Sequence, residues 1–371
     1  MEIIHVCQFL GVGGLEKVLY LLIKEQLKNN HQVTLIVYDW EKTWVEKFRQ
    51  EGIEVLDDYT KSPGYDTKLI NYLNKHIQRA DIIHTHDLNP MLYIGPLKMI
   101  RKITLKGMPR IVHTTHGMEH IDLRPKTRFY EKFLSLTADA IVGVSPSICN
   151  YYLNRTFATK KNIFNIDNGT PINATLSQID KSKYKLSLAK SFGLDIDKKI
   201  YIYVARVVPL KGQELLIAAF SKQSDKQLLL VGPSGNDDYW NQINGVKFDN
   251  IHIVGSQENI DEILLGCDVY ISASHHEGIP IAVLEAASCG LPCILTNISG
   301  HKTLSKNSSQ SKPVTIFFEV ENLESLENAI LQSNNQLEMD KLRINMHKIV
   351  YDNYSSNRMC IEYEKVYKAN K

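Results

Sequence analysis

The stretch SHHEGIPIAVLEAASCGLP, Ser274 to Pro292, decides the fold. It follows an apolar run, Asp268–Ala273, that reads as a strand, and it passes through a polar turn into a short helix from about Pro280. Proline suits a first helical position, where its missing N–H would have had no partner. Ile281 to Gly290 is small and apolar; Gly290 is placed to stop the helix and Pro292 to bar its resumption. Glu285 sits inside that helix and is the only charged residue between Gly278 and Gly300. A carboxylate in such surroundings is costly to bury without partners. Glu277 lies upstream, past the strand end and before the helix. Strand, loop, helix N-terminus and loop carboxylate are the parts of a site for an anionic ligand that also carries hydroxyls. Backbone N–H groups hold phosphate, and carboxylates accept hydrogen bonds from alcohols. A buried basic partner for Glu285 and a capping role for Glu277 are the plain alternatives for either residue alone.

Working outward, strands and helices alternate along the chain. Ile3–Phe9 reads as a strand, Gly11, Gly13 and Gly14 as a flexible loop, Leu15–Asn29 as an amphipathic helix and Gln32–Tyr38 as the next strand. This βαβ opening is not a full dinucleotide fingerprint, because the third glycine position of G-x-G-x-x-G is Glu16. Asp81–His84, Arg110–Thr114 and Asp139–Val144 are further strands, each followed by a helical stretch. The alternation implies a parallel sheet with helices on both faces and ligand groups at the strand C-termini. The residues there are His84, His86 and Asp87, then His116 and Gly117, then Ser145. His84 and His113 read as hydrogen-bonded core residues; His116, in HTTHG beyond its strand, reads as the better candidate for a site.

In the second half, Asn168–Asp197 reads as a polar, lysine-rich junction. Its Asp195-Ile-Asp197 has the form of a metal-binding D-x-D but reads as a solvated turn. Lys199–Ala205 is a strand ending in ARVVPLKG, with Arg206 and Lys211 at and past its C-terminus and Lys211-Gly212 opening the helix Gln213–Phe220. Two cations there can neutralise a diphosphate, Arg as a fork and Lys as a point charge. Gln227–Val231, Asn250–Gly255, Leu291–Thr296 and Val314–Phe318 complete the strands, and helices over about Leu323–Ser333, Leu337–Tyr351 and Asn357–Ala369 close the chain.

At 371 residues the chain is too long for one ordinary core, so two domains are expected. A net charge of +2 carries no nucleic-acid footprint, and no nucleic-acid partner is expected. Six scattered cysteines lack C-x-x-C spacing and read as buried free thiols of a reducing compartment. The N-terminus meets Gly11 too soon for a signal peptide, and no apolar run reaches the roughly 18 residues of a spanning helix. A cytoplasmic location is expected. Leu88–Met118 contains no acidic residue and holds Lys98, Arg101, Lys102, Lys106 and Arg110 among apolar residues; Arg124, Lys126, Arg128 and Lys132 follow. A solvated helix face is the plain reading, and reversible docking on anionic lipid the functional one.

The seven residues between Glu277 and Glu285 resemble the E-x7-E motif of retaining glycosyltransferases, in particular glycosyltransferase family 4 with the GT-B fold. The glycine loop, HTTHG, Arg206 with Lys211-Gly212, and the glutamate pair occur in that family's order, so the resemblance covers essentially the whole chain. It implies an α/β protein of two Rossmann-like domains with parallel sheets facing a central cleft: residues 1–170 acceptor-side, 171–198 a junction, 199–350 for the nucleotide sugar, and a helix in 351–371 that crosses back. It implies a retaining sugar transfer from a nucleotide-diphosphate sugar to a glycan or lipid-linked acceptor, in bacterial-type surface polysaccharide synthesis. A UDP-sugar is expected ahead of a GDP-sugar, without a cofactor or a metal.

Carried residue by residue, Arg206 and Lys211 stabilise the leaving diphosphate, Glu277 binds hydroxyls of the transferred sugar and His116 lies near that sugar. Glu285 binds the ribose. Gly13 and Gly14 touch donor phosphate or acceptor through bare backbone. Ser256 and Gln257 lie where the base is seated, and Gly278, Ile279, Pro280 and Ile281 line the donor. Many relatives have a glutamate after a glycine pair where this chain has Ser299-Gly300-His301-Lys302. A non-catalytic partner subunit of the same fold, or another GT-B enzyme such as a nucleotide-sugar epimerase or a phosphorylase, remains open; a dinucleotide oxidoreductase is weakened by Glu16.

Overall fold

The apolar runs that alternate with helices become two all-parallel sheets, seen in a computed structural model. It describes residues 1–369 apart from 12, 106, 118–124, 173–179, 279 and 307–312. Two compact units result: Met1–Gly169 with Ser356–Lys371 (unit 1), and Thr170–Ser355 (unit 2).

In unit 1 the strands are β1 (Glu2–Cys7), β2 (Gln32–Val37), β3 (Glu54–Leu56), β4 (Ile82–His86), β5 (Arg110–Thr115), β6 (Ala140–Gly143) and β7 (Ile163–Asn165). They lie in the order β3-β2-β1-β4-β5-β6-β7. Helices cover both faces, so β4 is buried along its whole length. Four buried strand positions nevertheless carry imidazoles, His5 on β1, His84 and His86 on β4, and His113 on β5. The chain runs outward from β1 to β3 and then returns to place β4 on the other side of β1. That reversal is a topological switch point, where ligands of open parallel sheets bind beyond the strand C-termini.

The helix Ser356–Lys368 groups with unit 1 although it is made after unit 2. Its buried face, Met359, Cys360, Tyr363, Val366 and Tyr367, packs on the helix Gly14–Lys28. Glu364 receives a bond from Asn29 at 2.7 Å and pairs with His31 at 3.1 Å, and Arg358 donates to the Asp167 carbonyl at 2.6 Å.

Unit 2 holds β8 (Lys199–Val204), β9 (Lys226–Val231), β10 (Ile251–Ile253), β11 (Val269–Ser272), β12 (Cys293–Thr296) and β13 (Ile316–Phe318), in the order β10-β9-β8-β11-β12-β13. Its switch point lies between β8 and β11. The helix Ile281–Ser288 buries Val283 to Ser288 and packs against the helix Gln336–Asn353. All six cysteines of the chain are free and buried.

Several local expectations are corrected. Pro280 is extended and caps the helix, which begins one residue later at Ile281. The stretch taken as a junction carries the helix Lys181–Phe192, capped by Asp180 and ended by Gly193 in the left-handed region, within unit 2. Only Leu188 of that helix is buried, so no apolar stripe announced it. The three-residue strands β3 and β7 at the sheet edges are too short to show a period.

Candidate active site

In unit 2, β8 and β11 deliver their following loops side by side. Gly212 has φ +64, and a Cβ there would fall 2.5 Å from the Ala273 carbonyl, so only glycine lets the Lys211 turn lie against the end of β11. The His275 N–H donates to the Leu210 carbonyl at 3.0 Å and ties the two loops together. Lys211 Nζ thereby reaches Glu277 Oε1 at 2.5 Å, with both side chains less than a fifth exposed. Ser274 Oγ donates to the same oxygen at 2.7 Å. With its one proton so used, Ser274 accepts from the Tyr203 hydroxyl, 2.6 Å away. Burial, and then the Glu277 charge, push the Tyr203 hydroxyl well above its ordinary range, so it stays a donor. Among the described residues Glu277 Oε2 makes no hydrogen bond. The separate roles expected for Lys211 and Glu277 thus begin from a direct ion pair.

The loop after β12 supports this arrangement. A Cβ on Gly300 would fall on the carbonyl oxygens of Glu277 and Gly278, so the absent side chain sets how close the two loops approach. The fully buried His301 holds the Thr296 carbonyl through Nδ1 at 2.9 Å, and Thr296 Oγ1 donates to the Ser274 carbonyl at 2.6 Å. Residues 299–302, which depart from the family pattern, therefore brace the Glu277 loop.

Arg206 is exposed just beyond β8. Its carbonyl accepts from Gln213 Nε2 at 2.9 Å, and the Gly232–Gly235 turn closes over it, with Val207 N–H bonded to the Pro233 carbonyl at 2.9 Å. Glu285 is buried on its helix. The Tyr270 hydroxyl, shifted upward chiefly by burial, also feels the charges of Tyr203, Glu277 and Glu285, so the two glutamates share one neighbourhood. Ser256 is exposed after β10, where Gln257 Nε2 closes the turn on the Val254 carbonyl at 2.7 Å. Pro280 accepts from the N–H of Val283 and of Leu284 at 3.1 and 3.3 Å, and Ile281 begins the helix behind Gly278; Ile279 lies outside the described residues.

In unit 1 the glycine loop after β1 meets carboxylates. The Gly11 N–H donates to Glu16 Oε1 at 3.3 Å, and a Cβ on Gly13 would fall 2.7 Å from Glu16 Oε2. Burial raises the Glu16 carboxyl above its ordinary value, and Glu41 and Asp87 add to the rise. Gly14 opens the following helix. Surroundings with three carboxylates repel phosphate and suit hydroxyls.

Asp87, just past β4, has φ 60 and ψ 179, a region nearly confined to glycine that costs on the order of 1–3 kcal/mol. That backbone lets its N–H bond the Thr114 carbonyl and its Oδ1 accept from the His116 N–H, both at 2.8 Å, joining the ends of β4 and β5. His116 Nε2 then lies 3.0 Å from His86 Nδ1, and His86 Nε2 lies 2.9 Å from His5 Nδ1. Burial lowers all three imidazoles, His5 to about 4. His84 bonds Tyr367 and Thr114, and His113 bonds Thr85 and Tyr152, both as core residues. His5, His84 and His86 bring their nitrogens within 4.8 Å of one another, but hydrogen bonds already account for the set as it stands.

The basic segment is corrected in part. Lys98 pairs with Asp139 at 2.8 Å, and Arg101 bonds Asn74 and the Gly107 carbonyl at 2.9 and 2.8 Å. Lys102 is exposed, whereas Lys106, Met118 and Arg124 lie outside the described residues, as does the side chain of Lys126. What the segment shows to solvent is largely apolar: Met99, Ile100, Ile103 and Leu105, the last two 80% and 94% exposed.

Sequence reading missed Ser274, Tyr203, Gly300, His5 and Gln26. Gln26 alone carried a signal, standing in the buried register of Leu19, Leu22 and Ile23 where an apolar residue belongs.

Two family models divide the chain between them, "Glycosyltransferase Family 4" over residues 12–173 and "Glycosyl transferases group 1" over 186–349. The chain is 27% identical over 272 residues to the UDP-Gal:alpha-D-GlcNAc-diphosphoundecaprenol alpha-1,3-galactosyltransferase of Escherichia coli, covering 69% of this chain and 66%, just under two thirds, of that enzyme. It is 25% identical over 363 residues to the O-antigen biosynthesis glycosyltransferase WclY of Escherichia coli, covering 94% and 93% of the two chains. Anabaena HepE, solved in complex with UDP and glucose, shares the fold with a TM-score of 0.83 at 17% identity, over 98% of each chain. Paired parallel sheets of the GT-B kind, both family models and full-length relatives agree: the chain belongs to glycosyltransferase family 4.

Proposed function

We propose that this glycosyltransferase moves a sugar, with retention at the anomeric carbon, from a UDP-sugar to a glycan or lipid-linked acceptor in surface polysaccharide synthesis. The observation that carries the reading is the Lys211–Glu277–Ser274–Tyr203 chain at the switch point of unit 2. It supplies a cation for the departing diphosphate beside a carboxylate whose Oε2 remains for a sugar hydroxyl. In the step proposed, the bond from the anomeric carbon to the diphosphate oxygen breaks as the acceptor oxygen bonds that carbon on the same face. The acceptor proton passes to the departing phosphate oxygen. No protein nucleophile takes part; positioning and charge stabilisation lower the barrier.

Arg206 and the first N–H groups of the helix at Ile281 add positive potential for the diphosphate. Glu285 takes the ribose, the turn at Ser256 and Gln257 the base, and His116 a hydroxyl of the transferred sugar. The carboxylates around Gly11, Gly13 and Gly14 favour acceptor hydroxyls over donor phosphate at that loop. No metal is assigned to the step. The named donor and lipid-linked acceptor of the galactosyltransferase relative support this choice of substrate classes. Incubation with UDP-sugars and a lipid-linked saccharide, followed by NMR of the product, tests it. An inverted anomeric configuration, or epimerisation of the donor without transfer, would overturn it.

Membrane docking is proposed through apolar rather than basic groups. The helix Leu88–Ile103 packs against the Leu134 side chain at Gly95, where a Cβ would fall 2.7 Å from Leu134 Cδ2. Ile103 in that helix and Leu105 just past it are exposed, as are Phe129, Tyr130 and Phe133 in the helix Pro125–Leu134 and Leu136 just past its end. Lys102 and Lys132 are exposed on the same two segments. No described helix is long and apolar enough to cross a membrane.

A further inference from the structure

The buried line of hydrogen bonds behind His116 has a direction, set at its far end by an amide. Gln26 is fully buried on the helix Gly14–Lys28; its Nε2 donates to the Tyr367 hydroxyl at 3.0 Å and its Oε1 faces His5 Nε2 at 2.9 Å. A carbonyl oxygen only accepts, so His5 Nε2 carries the proton. His5 is neutral at pH 7, which leaves its Nδ1 as an acceptor, and His86 Nε2 must donate to it. His86 is kept neutral by burial as well, so its Nδ1 accepts, and His116 Nε2 must donate. The last imidazole is thus protonated at Nε2 and bears its lone pair on Nδ1, which bonds no described residue.

A side branch has the same polarity. Having received the Gln26 N–H, the Tyr367 hydroxyl donates to His84 Nδ1 at 2.8 Å, and His84 Nε2 donates to Thr114 Oγ1 at 2.7 Å. Turning the Gln26 amide over would reverse every bond in both lines.

We propose that Gln26, His5 and His86 are positioning residues that hold His116 as the Nε2–H tautomer, so that Nδ1 accepts a hydrogen bond from a hydroxyl of the sugar substrate. The proposal rests on the assignment of His116 to the substrate made above. It predicts a site that requires a hydroxyl donor and gains nothing from a group that can only accept.

The test reads the tautomer without turnover. Nitrogen-15 NMR of histidine-labelled full-length protein should show a protonated Nε2 and a bare Nδ1 at His116. Gln26→Met should let the two tautomers mix and lower kcat by about tenfold, in the range of partners that orient a working histidine. Gln26→Glu, which still offers His5 an acceptor, should restore both the tautomer and the rate. His116 protonated at Nδ1 in the wild type would overturn the proposal. An unchanged tautomer in folded Gln26→Met protein would overturn it equally. Full activity of His116→Ala would instead overturn the assignment of His116 to the substrate, and the NMR result would still decide the tautomer relay.

Discussion

At the ends of β8 and β11 in unit 2 the polar groups are charged and sit in loops, whereas beside β1, β4 and β5 in unit 1 they are neutral imidazoles inside the sheet. Both sets occupy a switch point of a parallel sheet, so the topology is common and the chemistry is not. Lys211 and Glu277 keep enough contact with water to remain an ion pair that meets a charged ligand. His5 and His86 have almost none and stay uncharged, and what they transmit is direction rather than charge. The difference separates two ways of building a polar site: a loop can carry a charge to a ligand, while a strand interior can only orient a neighbour.

Removing the loop charge should have the largest effect. Lys211→Ala should cut turnover by about 10²–10³, the roughly 3–4 kcal/mol of one preorganised electrostatic contact, with little loss of fold. Steady-state kinetics on the working donor decide this, and wild-type turnover would erase the contrast between the units.

Acid should act on unit 1 instead. His5 titrates near 6.5 when unfolded and near 4 when folded. Between those values the unfolded chain binds the proton and the folded one does not. The stability this residue contributes is therefore whole above pH 6.5 and is lost as pH falls toward 4. At about 1.4 kcal/mol per pKa unit the loss is roughly 3 kcal/mol. Hydrogen exchange followed from pH 7 to 4.5 should show β1 and β4 losing protection before β8 and β11, and the reverse order would break the comparison.

The smallest effect concerns the apolar surface of unit 1. Replacing Ile103 and Leu105 by serine should weaken vesicle binding by about 1 kcal/mol, roughly fivefold, since only part of each side chain would enter the interface. Co-sedimentation that matches the wild type would remove the docking surface.

Unit 2 was the more legible half. Glu277, Glu285, Arg206 and Lys211 interrupt apolar or glycine-rich sequence next to strand ends, and charge in such places shows without a structure. The residues that hold them were hidden, because Ser274, Tyr203 and Gly300 act through approach distances that no spacing encodes. In unit 1 the histidines past the strands were visible as polar groups, but their line was not. Gln26 and His86 lie 21 and 81 residues from His5 along the chain, and His86 becomes its neighbour only once β1 pairs with β4. The helix Lys181–Phe192 escaped for the opposite reason, since it buries too little to leave a periodic trace.

The placement of Ser356–Lys368 in unit 1 has a consequence for how the polypeptide is made. Unit 2 is a single uninterrupted segment and can close as soon as it leaves the ribosome. Unit 1 begins first yet must wait, because Tyr363 and Tyr367 are translated only after the whole of unit 2. Until they arrive, the Gln26 amide, His84 and Thr114 lack their hydroxyl partners, and the face of the helix Gly14–Lys28 that receives them stays open to solvent. The first half therefore stays incomplete throughout synthesis of the second, with that face open to whatever binds unfinished chains.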